Sequence, residues 1–291
     1  MQAHLIDVGG GRQLDVIDSG SGEAGTVVFH SGTPNGLVPF APLAQGAAAR
    51  QLRLIGTVRP GYGRSTPQPG RAIADVAADI DAVLDHLGID TFVSLGHSGG
   101  GPHALACRAL GAPRCAAAIT IAGVGPYGAD GLDFLAGMGE DNIDEFGAAL
   151  QGEAPLTDYL DAFAGELSGI QPDGIVDSLA SLLPEVDRTY LRGAFAQYLA
   201  EALRTSVANG IAGWRDDDVA FIRPWGFELT DLTNVSIWQG ADDLMVPFAH
   251  GAWLAGTISA STPHLLTGEG HLSILVGKLD AILDEAMAYL D

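Results

Sequence analysis

The chain opens with two short apolar runs, residues 4–8 and 13–17, on either side of Gly9-Gly10-Gly11. Runs of that length parted by glycines predict a β-hairpin. Beyond the turn Ser19-Gly20-Ser21-Gly22 the pattern changes. Thr26-Val27-Val28-Phe29, residues 52–58, residues 92–95 and residues 116–122 are nearly unbroken apolar runs. Such runs predict strands buried on both faces of a parallel sheet. Between them Ile73, Val76, Ile80, Val83, Leu84 and Leu87 recur at helical spacing, with Asp75, Asp79, Asp81 and Asp85 elsewhere around the wheel and Gly88 at the end. That is a helix lying on the sheet. Strand and helix alternating at these intervals predict parallel βαβ units.

From Gly123 to Thr230 the apolar stripes become helical and no strong buried strand occurs. A stretch of about a hundred residues is too long for a plain connection, so residues 124–230 are expected to form a helical cap. The core is then built from residues 1–123 and 231–291. Helices are expected over 156–167, 175–183 and 190–208, punctuated by Pro155, Pro172 and Pro184. The cluster Arg215-Asp216-Asp217-Asp218 reads as a helix end or hinge rather than a metal site, since no His or Cys accompanies it. The sheet pattern resumes at Val235-Ser236-Ile237-Trp238. A helix over 248–255, a strand over 264–266 and a closing helix over 272–290 complete it.

A chain of 291 residues that is 47% hydrophobic can bury a sizeable core. Its net charge of −22 with only 14 Lys and Arg argues against nucleic acid and against an anionic membrane surface. The start, Met1-Gln2-Ala3-His4-Leu5-Ile6-Asp7, has neither a basic flank nor a continuous apolar core, and no run reaches membrane-spanning length. A cytoplasmic protein acting on a small molecule is the expectation; the pattern carries no sign of oligomeric state. Cys107 and Cys115 offer neither a disulfide framework nor metal-ligand spacing and read as buried free thiols. No metal and no organic cofactor is implied.

The candidate chemistry centres on Gly96-His97-Ser98-Gly99-Gly100, a G-x-S-x-G elbow with apolar Phe92, Val93 and Leu95 before it and a helical stripe after it. A serine on so sharp a strand-to-helix turn is pushed out of the sheet. The N–H groups at the start of the following helix then favour negative charge nearby, which makes the Gly99 N–H one half of an oxyanion hole. The loop His30-Ser31-Gly32-Thr33-Pro34 follows another buried strand and offers the second half, best from Thr33 and next from Gly32. A serine nucleophile needs a base, and the base needs an acid to orient it. Ser98, an acid at Asp243 or Asp242, and His271 follow the chain order Ser, acid, His, each just after an expected strand. His30 and His97 are candidate pocket residues, His97 and His103 candidate local hydrogen-bonding residues, and His4, His86, His250 and His264 surface or strand positions. Trp214, Trp225 and Phe227 are expected to pack the cap on the core.

Five stretches taken in order resemble the α/β-hydrolase fold superfamily, specifically its capped serine hydrolases: Ser31-Gly32-Thr33-Pro34, Arg59-Pro60-Gly61-Tyr62-Gly63-Arg64-Ser65, the elbow, Gly240-Ala241-Asp242-Asp243-Leu244-Met245-Val246-Pro247 and Gly268-Glu269-Gly270-His271. The resemblance implies a mostly parallel sheet flanked by helices, a Ser98-His271-Asp243 triad and an oxyanion hole at Gly99 and Thr33. It selects Asp243 over Asp242 through the family's G-x-x-D-x-x-V-P pattern. Ser31 stands where the family usually has histidine, with His30 one step earlier. The activity implied is hydrolysis of a small ester or lactone. The run Gly99-Gly100-Gly101-Pro102 also resembles prolyl aminopeptidases, and the fold resembles C–C bond hydrolases and cofactor-free oxygenases or lyases, so these stand as alternatives.

Overall fold

Strand β1 (Gln2–Gly9) pairs antiparallel with β2 (Arg12–Asp18), placing Ile6 opposite Leu14. The computed structural model describes residues 1–36, 38–111 and 113–290. After the hairpin come β3 (Gly25–His30), α1 (Ala41–Ala49), β4 (Leu52–Thr57), α2 (Val76–Leu87), β5 (Phe92–His97), α3 (Gly100–Leu110) and β6 (Cys115–Ile121). Six helices follow: α4 (Glu140–Gln151), α5 (Glu153–Leu167), α6 (Ile175–Ser178), α7 (Glu185–Tyr190), α8 (Gly193–Ser206) and α9 (Ala212–Phe221). The chain then returns through β7 (Thr233–Gly240), α10 (Phe248–Thr257), β8 (Ala260–Leu266), α11 (His271–Gly277) and α12 (Leu279–Ala288).

The eight strands form one sheet in the order β1-β2-β4-β3-β5-β6-β7-β8, antiparallel through β4 and parallel beyond it. This is the expected α/β architecture, a mostly parallel sheet flanked by helices. The apolar runs are explained by burial on both faces. Val27 and its neighbour Val28 are both fully buried, yet Val28 packs with Ile55, Ile80 and Val83, while Val27 joins the separate cluster of Leu43, Leu54 and Leu283. One side chain after another thus contributes about 1.5–3 kcal/mol of burial with no polar alternation.

Strand order reverses between β3 and β5, because the chain leaves β3 toward β4 on one side and returns to β5 on the other. A crevice opens at such a point beyond the carboxyl ends of the strands. The register is level there: His30 lies opposite Gly96, Gly96 opposite Thr120, and Thr120 opposite Ile237. The loops after β3, β5 and β7 therefore leave from one edge.

Several expectations change. The stretch 175–183 is α6 plus a separate 3₁₀ turn (Ala180–Leu182), and 190–208 is interrupted between α7 and α8, where Gly193 takes φ +55°. The closing helix starts at His271 and breaks at Lys278 into α11 and α12. Helices α4 and α9 were not expected. In α9 the three consecutive aspartates interrupt the apolar stripe. Those aspartates form neither a helix end nor a hinge: Asp216, Asp217 and Asp218 lie within α9 at 4%, 0% and 1% exposure. His250 is no surface or strand residue. It is buried in α10, where its Nε2 lies 2.9 Å from the Phe134 carbonyl oxygen and its Nδ1 accepts the Gly125 N–H. Both cysteines are buried free thiols. Among the described residues no helix is long and apolar enough to cross a membrane.

Candidate active site

Ser98 sits between β5 and α3 with φ +56°, a left-handed conformation that costs a non-glycine residue about 1–2 kcal/mol. Two hydrogen bonds hold the turn: Ser98 N–H to the Ile121 carbonyl at 2.9 Å, and Gly101 N–H to the Ser98 carbonyl at 2.9 Å. The loop after β3 passes close by. A Cβ at Gly32 would lie 3.2 Å from Ser98 Cβ and 3.6 Å from Ser98 Oγ, and a Cβ at Gly99 would lie 2.5 Å from Thr33 Oγ1. Glycine at both positions lets Thr33 and Gly99 face each other across the crevice. Among the described residues their backbone N–H groups donate to no protein acceptor.

His271 is the first residue of α11 and 2% exposed. Its Nδ1 lies 2.8 Å from Asp243 Oδ2. The carboxylate is itself fixed, because Asp243 Oδ1 accepts the Met245 and Val246 N–H groups at 2.8 Å each and Oδ2 accepts Gln239 Nε2 at 3.2 Å. Asp242, by contrast, is exposed. Burial alone would lower the His271 pKa, but Asp243, with a smaller contribution from Asp187, raises it above the ordinary histidine value. Ser98 and His271 wall one cavity of about 160 Å³. Among the described residues no hydrogen bond joins Ser98 Oγ to the imidazole.

The other histidines divide. His97 walls the cavity, its Nε2 lies 3.2 Å from the His271 carbonyl oxygen, and burial pushes its pKa down to about 3. His103 has Nδ1 2.9 Å from the Gly99 carbonyl oxygen, and burial pushes it down to about 3 as well. His30 is not a pocket residue. It is 1% exposed beneath the crevice with Nε2 3.0 Å from Ser94 Oγ, and burial holds it neutral.

The helical stretch between β6 and β7 reaches this edge at two buried carboxylates, Asp217 of the cluster expected at a helix end or hinge and Asp187, which the sequence does not single out. Asp217 of α9 accepts bonds from Arg59, Arg71, Tyr62 Oη and Thr33 Oγ1. Arg59 also donates to the carbonyl oxygens of Ser31 and Gly32 at 2.6 and 2.8 Å, so one ionic node holds the whole loop after β3. Burial would raise the Asp217 pKa, but Arg59 and Arg71 overcome it and hold the carboxylate far below its usual range. Asp187 of α7 accepts the N–H groups of His271, Leu272 and Ser273.

Much of the rest of the cavity wall is apolar, including Phe163, Leu182, Phe195 and Leu275. Its polar lining includes Asn35, Asp141, Asn142, Tyr198 and Asp218, the last beside Glu145, which accepts Trp214 Nε1–H at 2.7 Å. Trp214 therefore lines the pocket as well as packing. Neither Asp218 oxygen meets a donor among the described residues. Burial first, and Glu145 second, push Asp218 well above the carboxylate range, and burial raises Glu145 too.

Known proteins share this architecture. A sequence profile described as the alpha/beta hydrolase fold matches residues 25–278. A non-heme haloperoxidase of Rhodococcus erythropolis is 29% identical over 260 residues, 87% of each chain. An esterase from Exiguobacterium antarcticum superposes with a TM-score of 0.71 at 21% identity, covering 99% of both chains. A bromoperoxidase from Bacillus anthracis does so with a TM-score of 0.69 at 20% identity, again over 99% of both.

Proposed function

The chain belongs to the alpha/beta hydrolase fold family and is a hydrolase, and from that premise we propose that it cleaves a small, largely apolar ester or lactone through an acyl-enzyme on Ser98. The observation that carries the reading is the buried 2.8 Å contact between His271 Nδ1 and Asp243, facing the same cavity as a serine held at positive φ. With Nδ1–H donated to Asp243, Nε2 is the free base. It takes the Ser98 proton as Oγ bonds to the substrate carbonyl carbon, and the Gly99 and Thr33 N–H groups receive the oxyanion. His271 next returns the proton to the leaving oxygen as the acyl–oxygen bond breaks. Water, deprotonated by the same nitrogen, releases the acid and restores Ser98. Hydrogen bonds of such a relay are often long in an empty site and tighten around substrate. The helical stretch 124–230 serves as the cap that shelters the site from bulk water.

The test is turnover of p-nitrophenyl esters and γ-lactones by the wild type and by Ser98→Ala, with fluorophosphonate labelling alongside. Turnover is expected to drop about 10⁴-fold or more, in the general range of nucleophile deletions, and labelling to vanish. Turnover retained in Ser98→Ala would replace acyl transfer by proton-abstracting chemistry of the C–C hydrolase, oxygenase or lyase kind. Because the chain is similar to a protein named a haloperoxidase, a halide and hydrogen peroxide assay belongs in the same panel.

One observation favours a second reading. The buried Asp218 carboxyl and the half-buried Glu145 beside it, both lining the cavity, have no cation partner among the described residues, which suits a substrate amine and hence a prolyl aminopeptidase-like peptidase. Faster hydrolysis of proline p-nitroanilide than of p-nitrophenyl butyrate would select it.

A further inference from the structure

Helix α11 has an N-terminus that its own sequence leaves uncapped. The residue before it is Gly270, which has no side chain to offer, and the first N–H groups of any helix lack intrahelical partners. Asp187 supplies what is missing from 84 residues away: Oδ2 accepts His271 N–H at 2.8 Å, and Oδ1 accepts Leu272 N–H at 3.0 Å and Ser273 N–H at 2.8 Å. The carboxylate is fully buried. It also explains the glycine, since a Cβ at position 270 would lie 2.6 Å from both Asp187 oxygens. The residue at the head of this turn is the proposed general base.

We propose that Asp187 is a positioning residue of the hydrolytic machinery: a carboxylate borne by the helical insertion that fixes the backbone of His271 and supports its protonated state during proton transfer. The proposal rests on the reading of His271 as general base. Asp243 orients the ring through Nδ1, whereas Asp187 fixes the peptide that carries the ring. Docking of α7 and competence of the base are thereby one event.

The groups facing His271 are few. Asp243 approaches from the loop after β7, Asp187 from α7, and His97 from the end of β5, its ring centroid 4.7 Å away. His97 stays neutral through the physiological range, so the two carboxylates are the charges that favour the imidazolium. Asp187 adds to Asp243 in raising the His271 pKa.

The experiment compares the wild type with Asp187→Asn and Asp187→Glu. The His271 titration is followed by NMR at ¹³Cε1, assigned with His271→Gln, and kcat/KM is measured against pH with p-nitrophenyl butyrate. Asp187→Asn keeps the side chain's size and one acceptor oxygen but loses the charge. Its His271 midpoint is expected to fall by about half a unit to one unit, with kcat down about 10-fold and KM little changed. Asp187→Glu, which restores the charge, returns the midpoint toward the wild-type value. An Asp187→Asn protein that melts earlier but keeps the wild-type midpoint and kcat reduces Asp187 to a structural cap and overturns the proposal. The NMR titration needs no turnover, so a shifted midpoint without ester hydrolysis refutes the reaction assigned above and leaves the positioning role standing.

Discussion

Replacing Asp217 by asparagine removes one charge from a node that touches both the helical insertion and the loop beside Ser98. The native carboxylate receives Arg59 Nη2 at 2.7 Å, Arg71 Nη2 at 2.6 Å, Thr33 Oγ1 at 2.9 Å and Tyr62 Oη at 3.0 Å. Asparagine presents an NH₂ group to guanidiniums that remain buried at 4% and 5% exposure. Breaking a buried pair from one side costs about 3–5 kcal/mol. With an unfolding entropy of about 2.1 cal/mol/K per residue, a chain of 291 residues should lose about 5–8 °C in Tm. The same change frees the loop carrying Thr33, and kcat should fall about 10- to 100-fold, short of the 10²–10³ that deleting an oxyanion donor outright costs. Calorimetry and steady-state ester hydrolysis read the two effects. Since the Asp217 pKa is depressed on folding, its stabilisation is present above the ordinary carboxylate value of about 3.9 and is lost as pH falls through the lower folded value. The asparagine variant should lack that part of the acid dependence. A Tm within about 1 °C of wild type together with unchanged kcat would refute the claim that this node holds the loop.

Two more outcomes follow from the site. His271 must be neutral to accept the Ser98 proton, and its pKa is raised above the ordinary 6.5, so kcat/KM should rise with pH through a midpoint on the alkaline side of that value; a midpoint below it contradicts the assigned base. Gly99→Ala should lower kcat by at least about 10-fold with a folded protein by circular dichroism, because the added methyl meets Thr33 Oγ1 at 2.5 Å and Phe221 Cζ at 2.8 Å and displaces one side of the proposed oxyanion hole. Unaltered ester turnover in that variant would show that the crevice between Gly99 and Thr33 does not receive the substrate.

The sheet was legible because its central strands are apolar on both faces, as in Val27-Val28-Phe29, and its edge could be inferred because each candidate residue follows a strand. Strand ends alone bring Ser98, His271 and either Asp242 or Asp243 to one edge, and the resemblance to the hydrolase pattern is what selects Asp243. The insertion was harder to read. Asp217 reads as part of a helix-end or hinge cluster and Asp187 lies between expected helices, and only the fold reveals that Asp217 meets Arg59 from 158 residues away and that Asp187 meets the His271 N–H. An isolated aspartate in a sequence carries no sign of a distant arginine or an uncapped helix. Likewise, the sequence suggests a surface or strand position for His250, whereas its ring is bonded to Gly125 and Phe134 in the interior.

The two buried carboxylates bear on how substrate gets in. Swinging the insertion outward as a rigid flap would part Asp187 from α11 and Asp217 from its arginines together. Such a swing would break the Asp187 bonds to α11 and the Asp217 ion pairs in one step, which favours the closed arrangement. The short broken segment just before Asp187, α6 and the turn Ala180–Leu182, carries neither carboxylate, and its neighbours Leu179 and Leu182 line the chamber. An opening confined to that segment would leave both carboxylates with their partners.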